Sequence, residues 1–130
     1  MRLSLTALLV RDYGEAIAFY CDVLGFRLIE DSDLGEGKRW VVVGGASGGA
    51  LLLAKAKKPE ELAGVGNQFG GRVGLFAETN DFEAVQARLI KAGAMFEEQP
   101  RREPYGMVAV FRDLYGNRWD LIEPKNGETS

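Results

Sequence analysis

The 130-residue sequence contains no histidine. A Ser-His-Asp or Cys-His nucleophile system therefore cannot be assembled from it, and neither can an imidazole-based zinc site. The single cysteine, Cys21, can form no intramolecular disulfide. It reads as a small core residue on the first helix, in a protein suited to a reducing compartment. Any metal would have to be held by oxygen atoms alone. Blocks of like charge are missing as well. Sixteen Lys+Arg against 19 Asp+Glu leave a net charge of -3, with no cationic run to meet a polyanion, so nucleic acid is not an expected partner. No apolar run approaches the ~20 residues that span a bilayer. The apolar start at residues 3–10 runs straight into Arg11-Asp12 without a small-residue cleavage pattern, and reads as a strand rather than an export signal. The expectation is a soluble, cytoplasmic protein without membrane contact.

What is present is enough apolar residue, 46% of the chain, to build a core. After the first strand, Asp12 followed by Glu15 is a helix-start signal, the Asp12 side chain accepting an orphan backbone N–H. Ala16, Ile17, Tyr20, Val23 and Leu24 then fall on one helical face, and Gly25 ends the helix. Strands are expected at residues 26–30, 39–43 and 50–54, with the glycines at 44, 45, 48 and 49 marking a hairpin. Residues 55–71 change in composition, charged first and then glycine-rich, with one helical turn at Pro59. The second half repeats the order. It has a strand at 72–79, a helix after Asp81 with Phe82, Val85, Leu89 and Ala92 on its apolar face, and Gly93 at the helix end. Strands follow at 94–98, 107–111 and 118–122, the last two joined by a turn at 113–117. Asp12 and Asp81 start comparable helices half a chain apart. The order of elements implies an internal duplication: a first module at 1–56, a linker at 57–71 and a second module at 72–125. The fold class is α+β, two tandem βαβββ modules.

Three stretches carry a family resemblance. Val10-Arg11-Asp12-Tyr13 through Ala18-Phe19-Tyr20 and Val23-Leu24-Gly25-Phe26 is the first. Thr79-Asn80-Asp81-Phe82 is the second, and the run from Phe111 through Asp113-Leu114-Tyr115-Gly116-Asn117 to Leu121 is the third. Together they resemble the vicinal oxygen chelate superfamily of glyoxalases, bleomycin-resistance proteins and dioxygenases. The resemblance implies that the two modules form one cup-shaped small-molecule site, completed in a homodimer.

It also implies where a metal would sit, on the first and last strand of each module. The first-strand positions fall on Leu5 and Gly74, which offer no side-chain donor. The last-strand position of the second module falls on Asp120, and that of the first near Ala50 or Leu51. One carboxylate cannot hold a divalent ion against water. Glu78 lies four residues beyond Gly74, ~13 Å along a strand, too far to share an ion with Asp120 if Asp120 is level with Gly74. No metal or other cofactor is therefore expected, although an oxygen-ligand divalent site stays open.

Asp120 and Glu78 are the candidate catalytic residues, as general base or polar anchor, against a structural Asp120–Arg118 pair and a solvated strand end. Trp40, Phe76, Tyr105 and Tyr115 are candidates for an aromatic ligand-binding wall, against core or dimer packing. Trp119 is expected to pack beneath a helix. Arg118 and Gln68 complete the candidate binding set, with Gln68 on a glycine-rich crossover that could close over a site, against the favoured reading of a solvated linker. Gly64-Val65-Gly66 opens like a dinucleotide-binding fingerprint but lacks glycine at 69 and follows no strand. The leading expectation is a metal-free small-molecule binding protein, or a cofactorless enzyme of undefined reaction. The alternative is a metal-dependent glyoxalase-like lyase, isomerase or dioxygenase using oxygen ligands.

Overall fold

The computed structural model describes residues 1–125. The chain divides between Gln68 and Phe69 into two compact units, and each repeats one plan. In the first, strand β1 (Thr6–Val10) leads into helix α1 (Tyr13–Ile17), and strands β2 (Arg27–Gly35), β3 (Lys38–Gly44) and β4 (Ala50–Lys55) follow. The sheet order is β1-β4-β3-β2, with β1 parallel to β4 and the other pairs antiparallel. In the second, β5 (Val73–Glu78) leads into α3 (Phe82–Lys91), after which come β6 (Met95–Phe96), β7 (Arg101–Glu103), β8 (Gly106–Arg112) and β9 (Arg118–Pro124). Its order is β5-β9-β8-β6, with β7 also on β8 and β5 parallel to β9. The chain is thus α+β, two tandem βαβββ modules. No helix among the described residues is long and apolar enough to cross a membrane.

Local chemistry explains the repeat. Asp12 Oδ2 accepts the Glu15 N–H at 2.9 Å, and Asp81 Oδ1 accepts the Ala84 N–H at 3.2 Å, so each helix starts on a carboxylate cap. Each helix is followed by a glycine with positive φ, Gly25 at 82° and Gly93 at 86°, a backbone state that a side chain would strain. In the first unit α1 does not continue as regular helix. Residues Ala18–Val23 form a π-helical turn, in which the Leu24 N–H reaches back five residues to the Phe19 carbonyl at 3.1 Å. That widening turns Tyr13, Ala16, Phe19, Tyr20 and Leu24 inward and leaves Ile17 and Val23 half-buried. A strict 3.6-residue period had placed Ile17 and Val23 on the core face and missed Phe19. The second helix follows its period, burying Phe82, Val85 and Leu89; Ala92 is the exposed C-cap residue.

Two strands depart from their sequence expectations. β2 runs to Gly35 instead of stopping near residue 30, and meets β3 through the two-residue turn Glu36-Gly37. Both turn residues have positive φ, 56° and 79°, the geometry that fits the twist of a hairpin. Glutamate is an unusual choice there, which hid the turn. The strand expected at 94–98 is reduced to β6, and a further strand that was not expected, β7, pairs with β8 beyond Pro100, which has no N–H to give to a ladder.

Each sheet buries one face under its own helix. In the first unit Leu8, Val10, Val41, Val43 and Leu53 are 0–1% exposed. In the second, Leu75, Ala109, Phe111, Trp119 and Leu121 form the helix-side face. Trp119 stacks on Phe111 with ring centroids 5.8 Å apart, in the place expected for it. α2 (Pro59–Gly64) packs against β1 with the first unit.

Candidate functional site

The face of the second sheet turned away from α3 carries four of the eight candidate residues, Phe76, Glu78, Arg118 and Asp120. The parallel ladder pairs Phe76 with Asp120 and Glu78 with Ile122, and β8 sets Val110 beside Asp120. Registered residues share a sheet face ~4.8 Å apart, so Phe76 and Asp120 are immediate neighbours. A register shift between Val73 and Leu75 makes this pairing, because Gly74 is absorbed in a bulge and Asp120 is level with Phe76. The register supposed from sequence, with Asp120 level with Gly74 and ~13 Å from Glu78, is corrected: Glu78 is one same-face step, ~7 Å, beyond Phe76.

Phe76 is 64% exposed, an unusual state for a phenyl ring in mid-strand. Beside it, Asp120 Oδ1 is buried and has no hydrogen-bond partner. Burial pushes the Asp120 carboxyl above the ordinary carboxylate range, reinforced by Glu98 and opposed by Arg101 and Arg118. The result is an acceptor that is desolvated but unused, next to an uncovered aromatic ring. The exposed ring offers its face to a flat molecule; Oδ1, which has no exposed surface, can accept an N–H or O–H only after the Asp120 side chain turns outward.

The neighbouring charges are committed elsewhere. Arg118 donates to both Glu97 oxygens at 2.9 Å and to the Gly71 carbonyl at 3.0 Å. Its ion-pair partner is thus Glu97, not Asp120, which corrects the Asp120–Arg118 pair considered from sequence. Arg112 joins the same carboxylate at 2.9 Å, and the arginines, Arg118 first, hold Glu97 below its usual range. Arg101 is paired to Glu98 and Glu103 at 3.0 and 2.8 Å.

The aromatic candidates separate. Tyr115 is only 8% exposed and belongs to the core, while Tyr105 stands 55% exposed in the β7–β8 turn. Trp40 lies in the first unit on β3, 37% exposed. Gln68 also belongs to the first unit, where its amide accepts the Leu9 N–H at 2.9 Å and donates to the Ala7 carbonyl at 2.7 Å. It mimics a neighbouring strand along β1, so at this residue the crossover is pinned to β1 and is neither a closing flap nor the solvated linker favoured from sequence. Cys21 is half-buried, and burial, then the Asp22 charge, raises its thiol pKa, away from the reactive thiolate form.

Sequence reasoning missed two features. Asp113 is buried and accepts from the Tyr115 and Asn117 N–H groups at 2.9 and 3.0 Å through Oδ1. Its Oδ2 accepts from Asn117 Nδ2 and Trp119 Nε1 at 3.1 and 2.9 Å. The Asp-x-x-Gly-Asn turn is therefore a hydrogen-bonded knot that seats Trp119 and sets the start of β9. The Asx-turn potential of that motif was the available signal. The second is Phe69, whose ring lies directly on Gly74; a Cβ added at Gly74 would stand 2.6 Å from Phe69 Cδ2. No local pattern announces that contact.

The residues do not fit a metal centre of the kind that the resemblance implies. Leu5 and Gly74 have no donor, the space over Gly74 is filled by Phe69, and Asp120 is a single carboxylate. Among the described residues, no three His, Cys, Asp or Glu side chains converge to hold an ion.

Against known proteins, the chain is 52% identical over 120 residues to a protein of Shewanella frigidimarina (strain NCIMB 400), covering 90% of this chain and 89% of that one. Among solved structures it resembles UcmS2, with a TM-score of 0.75 and 31% identity over 94% of this chain and 97% of that one. It also resembles TnmS3, an antibiotic binding protein from Streptomyces sp. CB03234, with a TM-score of 0.73 and 29% identity over 96% and 97% of the two chains. Residues 2–121 match the profile of the Glyoxalase/Bleomycin resistance protein/Dioxygenase superfamily. With the duplicated βαβββ plan and the Asp113 hairpin already accounted for, the chain belongs to that superfamily.

Proposed function

We propose that this protein is a metal-independent small-molecule binder whose ligand lies at Phe76, on the face of the second sheet turned away from α3. The ligand would stack on Phe76 and, with the Asp120 side chain turned toward it, give a hydrogen bond to its carboxylate. The carrying observation is the unpartnered, buried Asp120 Oδ1 beside a 64% exposed Phe76. An unused buried acceptor costs about 1–3 kcal/mol, and a ligand N–H or O–H would remove that cost. The likeness to TnmS3, described as an antibiotic binding protein, supports an antibiotic as the ligand class, and the exposed Phe76 ring favours one with a flat face. The proposal includes a homodimer. Edge strand β2 leaves Leu28, Ile29 and Leu34 46–54% exposed, apolar surface that a second copy would cover; light scattering at micromolar concentration tests it against a monomer.

The test of binding is a thermal-shift screen of metabolites and antibiotics. A ligand at 100 times its Kd stabilises by about 2.7 kcal/mol, which raises Tm by roughly 10 °C for a chain of this size. The shift should be lost in Phe76→Ala and weakened in Asp120→Asn, both of which should stay folded. Hits that shift both variants as much as the parent would sink the proposal.

A further inference from the structure

The second unit holds a hollow of about 500 Å³ on the side of its sheet that carries α3. Met107 is two residues from Ala109 on β8, and Glu123 two residues from Leu121 on β9, so both belong to the helix-side face and line the hollow. Arg102 of β7 is registered with Met107 and shares that face. Asp81 and Glu83, at the start of α3, form the other wall, and Lys125 borders the hollow just beyond β9. Phe76 and Asp120 lie on the opposite face of the sheet. Three of the acids around the hollow are already engaged. Asp81 Oδ1 accepts the Ala84 N–H at 3.2 Å, and Glu123 Oε1 accepts the Phe82 N–H at 2.8 Å. Glu103 is paired with Arg101 at 2.8 Å. Glu83, Arg102 and Lys125 are exposed, and among the described residues none of the three enters an ion pair.

The uncommitted groups are thus a carboxylate on the helix wall and a guanidinium with an ammonium group on the sheet wall, with a half-buried methionine between the strands' charges and the helix. A ligand of one sign would be attracted by one wall and repelled by the other, whereas a molecule that carries both signs meets an opposite charge at each end. The planar fork of arginine takes a carboxylate through two parallel hydrogen bonds. Methionine adapts to apolar side chains of varied shape, and the volume lies in the range of small-ligand pockets. We infer that this hollow binds the zwitterion of an amino acid or short peptide, with the ammonium group at Glu83, the carboxylate at Arg102 and Lys125, and an apolar side chain on Met107. The site shares no residue with the Phe76–Asp120 face, so it stands or falls independently of the proposed function.

The experiment titrates the full chain, labelled with ¹³C at its methionine methyl groups, with leucylleucine, with N-acetyl-leucylleucine and with leucylleucine amide. The chain has three methionines, Met1, Met95 and Met107, so the spectrum locates the ligand directly. Leucylleucine should move the Met107 signal and leave Met95, on β6, in place. Blocking either end should weaken binding at least tenfold, since each blocked form leaves one wall unpaired. Glu83→Gln should weaken leucylleucine at least fivefold yet leave the N-acetyl form, which has no ammonium group, unchanged. Arg102→Ala combined with Lys125→Ala should weaken leucylleucine likewise yet leave the amide, which has no carboxylate, unchanged. These three residues are exposed, so folding is not at risk, and the selective loss separates a direct contact from a general disturbance. A response at Met95 instead of Met107, equal binding of the blocked forms, a variant that weakens all three ligands alike or none of them, or no binding at millimolar leucylleucine would each overturn the inference.

Discussion

Substituting Gly74 by alanine adds one methyl group to the chain and places it inside the Phe69 ring. The new Cβ would stand 2.6 Å from Cδ2 and nearer still to Cγ, well inside the ~3.5–4.0 Å at which carbon atoms rest. Cγ is the root of the ring, so the clash cannot be relieved by bending the tip. Phe69 must rotate about its first side-chain bond or β5 must shift. Gly74 has no positive φ, so the cost is steric and not one of backbone strain. If Phe69 swings out, the half-buried ring forfeits about half of the ~1.5–3 kcal/mol that full burial of such a side chain brings. If it stays, overpacking costs about 1–3 kcal/mol. Either route puts Gly74→Ala at about 1–2 kcal/mol of destabilisation, read as a lower urea midpoint with unchanged slope. The decisive assay is the double-mutant cycle with Phe69→Ala. Once the ring is gone, adding the Gly74 methyl group should cost less than about 0.5 kcal/mol, a coupling of at least about 0.5 kcal/mol between the two positions. A Gly74→Ala protein as stable as the parent, or a cost unchanged in the Phe69→Ala background, would refute the contact. Gly74→His should suffer the same clash, so the family's metal-binding side chain cannot be restored at this position while Phe69 stays in place.

Asp120→Asn tests the direction of the Asp120 shift. A carboxyl raised in the folded state binds its proton more tightly there, so stability falls as pH climbs out of the ordinary carboxylate range through the raised value. The asparagine variant lacks that loss. It should exceed the parent in Tm at pH 7, with the gain vanishing near pH 3, and parallel curves would contradict the assignment. Asp113→Ala leaves four buried or part-buried donors without their acceptor and should cost more than about 3 kcal/mol, with near-ultraviolet dichroism of Trp119 reporting the lost seat; a cost under 1 kcal/mol would remove the knot from the account. Purified protein should carry no stoichiometric Ni, Zn, Fe or Mn, and a chelator should leave its Tm unchanged; one metal per chain by elemental analysis would overturn the metal-independent reading.

The repeat, the α+β class and both helix starts were legible in the sequence because their causes are local. Asp12 and Asp81 cap within three residues, Gly25 and Gly93 end their helices by their own backbone freedom, and apolar spacing marks the faces of α3 and of most strands. The absence of histidine likewise constrained the chemistry before any fold was known. What tertiary structure decided were relations across the chain. The bulge at Gly74 makes Phe76, not Gly74, the partner of Asp120, and a one-residue change in register moves every side chain to another neighbour. Arg118 and Asp120 sit two apart on one face, yet Arg118 turns to Glu97, 21 residues away. Gln68 sits in a glycine-rich run and behaves as a strand, because the edge of β1 offers it a carbonyl and an N–H. Composition and periodicity describe what each segment can do alone, whereas an unpartnered carboxylate oxygen or a ring laid on a glycine exists only after distant segments have met.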